Sequence, residues 1–318
     1  QDEKGVTGLA SSAHHASADG PMSAGLFMEW ALGKVGEVFP SDAGKLMLPG
    51  SKIRWEIHYY AVGQQVPDDQ VGAAVQTAVE VGYRHIDTAR IYGNEAGVGR
   101  ALATTAVPRD EIFVTTKVWN DDHGAERTRA ALTASLDRLG LEWLDLYLVH
   151  WPVPEQDLYV ETWAALRELR EEGLVKAIGV CNFHIPHLQR AYEATGAWPA
   201  INQIELHPYL QQSELRAFHA EHGIVTESWS PLASGKQVLD DPVVAEVAAK
   251  HGCTPAQAII AWHLALECVV IPKSVTPSRI AENFAAAHVE LDPDDLVAFA
   301  ALDRGFRTGP DPDTFNVR

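Results

Sequence analysis

From about residue 68 onward the chain alternates between two hydrophobic rhythms. Val71, Val75, Ala78 and Val79 recur at helical spacing after Pro67-Asp68-Asp69, which predicts a helix ending near Gly82. The run from Val81 to Ile86 then reads as a short buried strand that ends in Asp87. The exchange repeats down the chain. Strands are expected at 112–116, 144–149, 175–180, 200–204, 224–229 and 269–271. Helices are expected at 95–102, 126–139, 159–172, after Asn182, and at 212–222, 242–251, 255–266, 277–287 and 293–302. Upstream, Ile53, Trp55, Ile57 and Tyr59 alternate on one face, so one more strand is placed at 53–60.

Eight strands separated by helices argue for an α/β protein with a parallel sheet, and their number for a closed (β/α)8 TIM barrel. An open doubly wound sheet is the competitor. It calls for a G-x-G-x-x-G turn after an early strand, and the nearest run, Gly97-Val98-Gly99, lacks the third glycine. Residues 1–27, rich in Gly, Ala, Ser and His, are expected to form a disordered extension, with His14-His15 too short for a metal tract. Residues 28–318 are then a single barrel domain, atypical in its first-strand region, 45–65.

Length and charge narrow the partners. The chain has 318 residues, 46% of them hydrophobic, enough for one barrel with a large core. Its formal charge of −18 favours neither nucleic acid nor an anionic membrane, though it leaves room for a local anion site. Cys181, Cys253 and Cys268 have no metal-like spacing, and their odd number argues against a disulfide framework. No metal is expected. No apolar run approaches the roughly 20 residues of a membrane span, and no secretory leader precedes the barrel, so the default is a soluble, cytoplasmic protein.

In a parallel barrel, residues just past the strand ends converge on one rim. Asp87, Lys117 and His150 end the second, third and fourth strands, and Tyr92 lies in the loop after the second. Singly, each has an ordinary explanation: a turn cap, a solvated lysine, a core histidine, a packed loop aromatic. Together on consecutive strands they suit proton and hydride transfer at a carbonyl. Tyrosine is a weak acid with a reference pKa of about 10, and an adjacent ammonium stabilises its phenolate. Lys117 would supply that ammonium, Asp87 would hold it, and His150 would orient the carbonyl oxygen. No side chain supplies a hydride, so a cofactor is required.

These residues sit in longer motifs. They are Gly82-Tyr83-Arg84-His85-Ile86-Asp87-Thr88-Ala89, Ile91-Tyr92-Gly93-Asn94-Glu95, Thr116-Lys117-Val118-Trp119 and Asp145-Leu146-Tyr147-Leu148-Val149-His150-Trp151-Pro152. Further on come Ile178-Gly179-Val180-Cys181-Asn182-Phe183, Asn202-Gln203-Ile204-Glu205-Leu206-His207-Pro208 and Ile271-Pro272-Lys273-Ser274. In content and order the chain resembles an aldo-keto reductase over roughly residues 66–318. It is closest in kind to the short-tailed microbial type, similar to 2,5-diketo-D-gluconate reductase-like members.

The resemblance implies an NADPH-dependent reductase of aldehydes, ketones or dicarbonyls such as methylglyoxal, with Asp87, Tyr92, Lys117 and His150 as its tetrad. It carries over Asn182 and Gln203 to the nicotinamide carboxamide, although both amides could satisfy local backbone instead. Trp229 is assigned to stacking on the nicotinamide, with core packing the alternative. Ser230, Leu232 and Ser234 fall to the pyrophosphate. Lys273, Ser274 and Arg279 surround the start of the last barrel helix, an anion site suited to the 2′-phosphate. Glu282 and Asn283 match the adenine-contacting pair. Trp119 and Trp151 become pocket walls, or else rim packing.

Two departures stand out. The family's opening hairpin and Gly-rich first strand are not recognisable in 28–65, which predicts altered cofactor and substrate binding there. The tail after Arg304 is short, which predicts an open pocket and broad substrate tolerance. The enzyme is expected to be a monomer. The competing reading is a cofactor-sensing regulatory barrel, or a catalytically impaired one, that binds NADPH with little turnover.

Overall fold

A computed structural model describes the backbone of residues 56–58 together with residues 68–235 and 237–317. Eight strands form one parallel sheet in chain order. They are β1 (Glu56–His58), β2 (His85–Asp87), β3 (Phe113–Val118), β4 (Leu144–Val149), β5 (Val175–Cys181), β6 (Ile201–Glu205), β7 (Val225–Trp229) and β8 (Val269–Val270). Helices α1 (Asp68–Val81), α2 (Glu95–Thr104), α3 (Ala125–Leu139), α4 (Tyr159–Glu171), α5 (Ile185–Thr195) and α6 (Ser213–His222) follow the first six strands. Helices α7 (Pro242–His251) and α8 (Pro255–Ala265) lie between β7 and β8, and α9 (Pro277–Ala285) and α10 (Pro293–Ala300) close the chain. This is the (β/α)8 barrel that the hydrophobic rhythm predicts.

The ring of helices closes on itself. Tyr83, just after α1, meets Phe284 of α9 edge to face with ring centroids 5.0 Å apart. Helices α2 and α3 approach so closely that a Cβ on Gly99 would collide with the backbone of Leu139, so the second glycine of the Gly-x-Gly run, which lies within α2, serves helix packing. Between sheet and helices lies an apolar layer that includes Val98, Leu132, Leu136, Leu166, Ile178 and Ile260. Trp163 and Trp262 are its largest fully buried members.

Several element ends differ from expectation. Val81 closes α1 and does not open β2, which is confined to His85–Asp87. Helical bonding persists because Gly82 and Tyr83 both donate to Ala78 O. Lys117 lies inside β3 and Trp229 is the last residue of β7. The first strand takes its expected place, with Glu56, Ile57 and His58 registered against His85, Ile86 and Asp87. The extension at 1–27 and the remainder of 28–65 lie outside the described residues.

Candidate active site

The carboxyl ends of β2, β3 and β4 bring Asp87, Lys117 and His150 together, and the turn after β2 adds Tyr92. That turn is built locally. Thr88 N bonds Thr115 O across to β3, and Thr88 Oγ1 donates to Asn94 Oδ1 at 2.7 Å. Between these anchors Arg90–Tyr92 forms one 3-10 turn, closed by Gly93 at φ 64.

Lys117 and Asp87 are fully buried and form an ion pair between Nζ and Oδ1. The ammonium also donates to Thr88 O at 2.9 Å. A buried cation is tolerated only when it is paired and hydrogen-bonded in this way. Its Nζ stands 5.3 Å from the centroid of the Tyr92 ring. His150 packs edge to face between Tyr92, at 5.7 Å, and Trp119, at 5.2 Å. The four residues taken from separate motifs thus form one contiguous cluster.

Two side-chain amides flank this cluster, and their orientations are dictated by chemistry. Trp229 Nε1, a donor only, bonds Asn182 Oδ1 at 2.8 Å, while Asn182 Nδ2 donates to His150 O at 3.0 Å. Asn182 therefore keeps one N–H to offer. Gln203 Nε2 faces two carboxylate oxygens, Glu227 Oε2 at 2.6 Å and Asp87 Oδ2 at 3.0 Å. Its Oε1 takes no hydrogen bond from a described residue and remains an acceptor. One donor and one acceptor side by side complement a primary carboxamide, so the donor set fits a nicotinamide.

The loop after β7 curls through left-handed residues, Ser230 (φ 51), Ala233 (φ 49), Ser234 (φ 55) and Gly235 (φ 71), with Leu232 among them. Concave backbone of this kind presents amides to an anion. At the start of α9, Thr276 is the N-cap and Pro277 opens the first turn, beside Ser274 and the exposed Arg279. Lys273 is half-buried, and burial lowers its pKa from the ordinary lysine value. Glu282 Oε1 accepts from Thr254 Oγ1 at 2.6 Å, and the buried Asn283 turns its amide toward Pro272 O at 3.5 Å. Asn283 therefore braces the loop that carries Lys273, while Glu282 ties α9 to the start of α8.

Trp119 and Trp151 join Val153, Trp229 and Phe315 in a small apolar cluster. Phe315 belongs to the C-terminal tail, which folds back over the rim and does not leave the site open. Its ring lies 4.3 Å from that of Trp151, Asn120 Nδ2 donates to Val317 O at 2.6 Å, and Glu155 N donates to Asn316 Oδ1 at 3.0 Å. Glu205 anchors the tail from the end of β6. Thr308 donates to it through N at 2.6 Å and Oγ1 at 2.5 Å, and Gly309 N through a 3.2 Å bond. Burial alone would raise the pKa of Glu205, but hydrogen bonds from His207 and Thr308 outweigh it and hold the carboxyl below its usual range. Among the described residues, no helix is long and apolar enough to cross a membrane. The one group of potential metal ligands among the described residues, His184, Asp311 and Asp313, has its imidazole already bound on both sides, to Asp313 and Arg307.

Glu227 and Phe315 lie outside the sequence motifs, and Glu205 lies inside one that assigns it no role. The sequence signal for the carboxylates was an acid within a strand, Thr226-Glu227-Ser228-Trp229 and Ile204-Glu205-Leu206.

The family model described as the aldo/keto reductase family matches residues 54–304, beginning ahead of the first readable motif. "Methylglyoxal reductase DkgA" of Escherichia coli K12 is 58% identical over 252 residues, 79% of this chain and 91% of that protein. An aldo-keto reductase of Mycolicibacterium smegmatis is 52% identical over 252 residues, with the same coverage of 79% and 91%. A mutant of Gox0644 crystallised with NADPH superposes with a TM-score of 0.78 at 48% identity, covering 82% of this chain and 94% of that one. This chain belongs to the aldo/keto reductase family and is an oxidoreductase.

Proposed function

We propose that the preferred substrates are short aldehydes and dicarbonyls, methylglyoxal among them, and that Tyr92 is the general acid. The observation that carries this reading is the buried Asp87–Lys117 pair beside Tyr92, with His150 packed against the same ring. NADPH, when bound, supplies the hydride. The carbonyl oxygen would lie between Tyr92 and His150, and His150 would orient it for the Tyr92 proton. Lys117 favours the phenolate that proton donation leaves behind. Asp87 pairs with the lysine and holds it in place.

Asn182 and Gln203 would hold the carboxamide and Trp229 would support the ring. Ser230, Leu232 and Ser234 would line the pyrophosphate, with Lys273, Ser274 and Arg279 at the 2′-phosphate and Glu282 and Asn283 toward the adenine. Trp119, Trp151 and Phe315 would wall a narrow apolar cleft, which suits small carbonyls better than branched ones. We place the enzyme in the cytoplasm as a monomeric barrel over residues 28–318. Two of its three cysteines are buried, and its exposed large apolar side chains, such as Ile91, Tyr192 and Val297, are scattered.

The test is NADPH oxidation with methylglyoxal, an aromatic aldehyde and a ketone sugar, paired with a fluorescence titration of NADPH alone. Methylglyoxal turnover well above the Tyr92→Phe background is expected. NADPH binding without turnover would replace this reading with the cofactor-sensing barrel. Loss of both binding and turnover would place the fault in the atypical first-strand region.

A further inference from the structure

Gln203 and Glu227 are register partners on β6 and β7, and both are buried. A carboxylate inside a barrel is expensive unless its position is matched by donors. Here one such donor is Gln203 Nε2, 2.6 Å from Glu227 Oε2 and 3.0 Å from Asp87 Oδ2. An amide nitrogen carries two N–H groups, and ionised carboxylates only accept. Both donors are therefore committed. Turning the amide over would set its carbonyl oxygen against two carboxylates. With Asp87 alone, one N–H would be uncommitted and able to swing toward the ligand.

We propose that Glu227 is a positioning residue that locks the Gln203 amide with its oxygen toward the cofactor, so that the site selects a ring substituent bearing an N–H donor. The proposal rests on the reading that Gln203 contacts the nicotinamide carboxamide. Asn182 works in the opposite sense. Trp229 Nε1 fixes its oxygen inward at 2.8 Å, which leaves an N–H for the carboxamide oxygen. The two amides read the two ends of one carboxamide, and Glu227 decides the polarity of the second reader. Through the same Gln203 nitrogen, Glu227 is also tied to the Asp87–Lys117 pair.

The experiment is calorimetric binding of NADP+ and of its 3-acetylpyridine analogue, in which an acetyl group keeps the acceptor and lacks the N–H donor. No turnover is needed. The wild-type protein is expected to prefer NADP+ by about tenfold, the worth of one good hydrogen bond. Glu227→Val should reduce that preference to below about twofold, because the released amide can present its NH2 to the acetyl oxygen. Glu227→Gln, which keeps an acceptor oxygen opposite Gln203, should restore most of it. A general structural defect would weaken both ligands equally and would not be rescued selectively.

Glu227→Val that retains the full preference overturns the proposal. Gln203→Met separates the two ideas. If that variant loses the preference and Glu227→Val keeps it, Gln203 contacts the carboxamide and Glu227 does not position it. If the wild type shows no preference, or Gln203→Met keeps it, the carboxamide reading fails and the proposal fails with it. Should Glu227→Val not fold, Glu227→Met, of similar length and without an acceptor, takes its place.

Discussion

Gly309 is seated on the indole of Trp229: a Cβ at this glycine would stand 2.5 Å from the ring's Cη2. The glycine is held there by Glu205, the register partner of Trp229 on the neighbouring strand. Tail and cofactor platform are therefore one mechanical unit. Gly309→Ala should push the indole off its bond to Asn182 and weaken NADPH binding several-fold in a fluorescence titration. The unfolding temperature should fall by only a few degrees, since the strain is local. Unchanged NADPH affinity would show that the ring tilts without consequence and that the tail does not buttress the platform.

Tyr92→Phe removes one oxygen from a buried ring and leaves its packing against His150 in place. If Tyr92 delivers the proton, kcat for methylglyoxal should fall by about 100- to 10,000-fold, the range of a lost general acid. NADPH affinity should stay near wild type because the phenol is not assigned to cofactor binding. A variant that retains turnover removes Tyr92 from the mechanism.

The barrel and the Asp87–Tyr92–Lys117–His150 cluster were legible because each member ends or follows a short apolar run of strand character. Spacing along one chain then fixes which rim they share. The roles of Glu227 and Glu205 were not legible for a physical reason: each carboxylate is met by a partner far away in sequence. Glu227 Oε2 is met by Gln203 and Glu205 by Thr308, and no local pattern announces either pairing. The same holds for Phe315. A short tail looked unable to cover the pocket, but three anchors, at Asn120, Glu155 and Glu205, let it reach Trp151. Val81 was misplaced because a β-branched residue before Gly82 satisfies a helix end and a strand start equally well.

Phe315→Ala should widen the cleft beside Trp151. Removing a ring stacked at 4.3 Å takes away apolar contact from small substrates and makes room for bulkier ones. KM for methylglyoxal should rise severalfold with kcat little changed, while a branched aromatic aldehyde should gain in kcat/KM. Equal effects on both substrates would place Phe315 outside the pocket wall.

Arg279 lies exposed in the first turn of α9, near the half-buried Lys273. A fork of guanidinium donors at a helix N-terminus suits a phosphate monoester. Arg279→Ala should raise the dissociation constant of NADPH by about tenfold or more and that of NADH by less than about twofold, consistent with a lost charge-assisted contact of 1.5–3 kcal/mol. Equal losses for the two cofactors would undo the 2′-phosphate assignment.

Acid sensitivity should come from buried imidazoles. His219 is enclosed with Asn202 Nδ2 at 3.0 Å from its Nε2 and Thr226 Oγ1 at 2.8 Å from its Nδ1. An amide nitrogen only donates, so Nε2 must accept, and protonating it would set two donors against each other. Burial, assisted by the charge on Arg216, lowers this histidine to a pKa of about 3. Its folded value lies below the unfolded one of about 6.5, so between these limits the unfolded chain binds the extra proton. Stability from this group is complete above about pH 6.5 and declines as the pH falls toward 3, by about 2 kcal/mol at pH 5. Urea unfolding at pH 7 and pH 5 should show at least that loss in the wild-type protein, because burial also lowers His85, His123 and His263. In His219→Gln, which can still offer an acceptor and a donor, the difference between the two pH values should shrink by a similar amount. A difference that is unchanged in the variant would mean that His219 is protonated in the folded barrel, contrary to the geometry of its two partners.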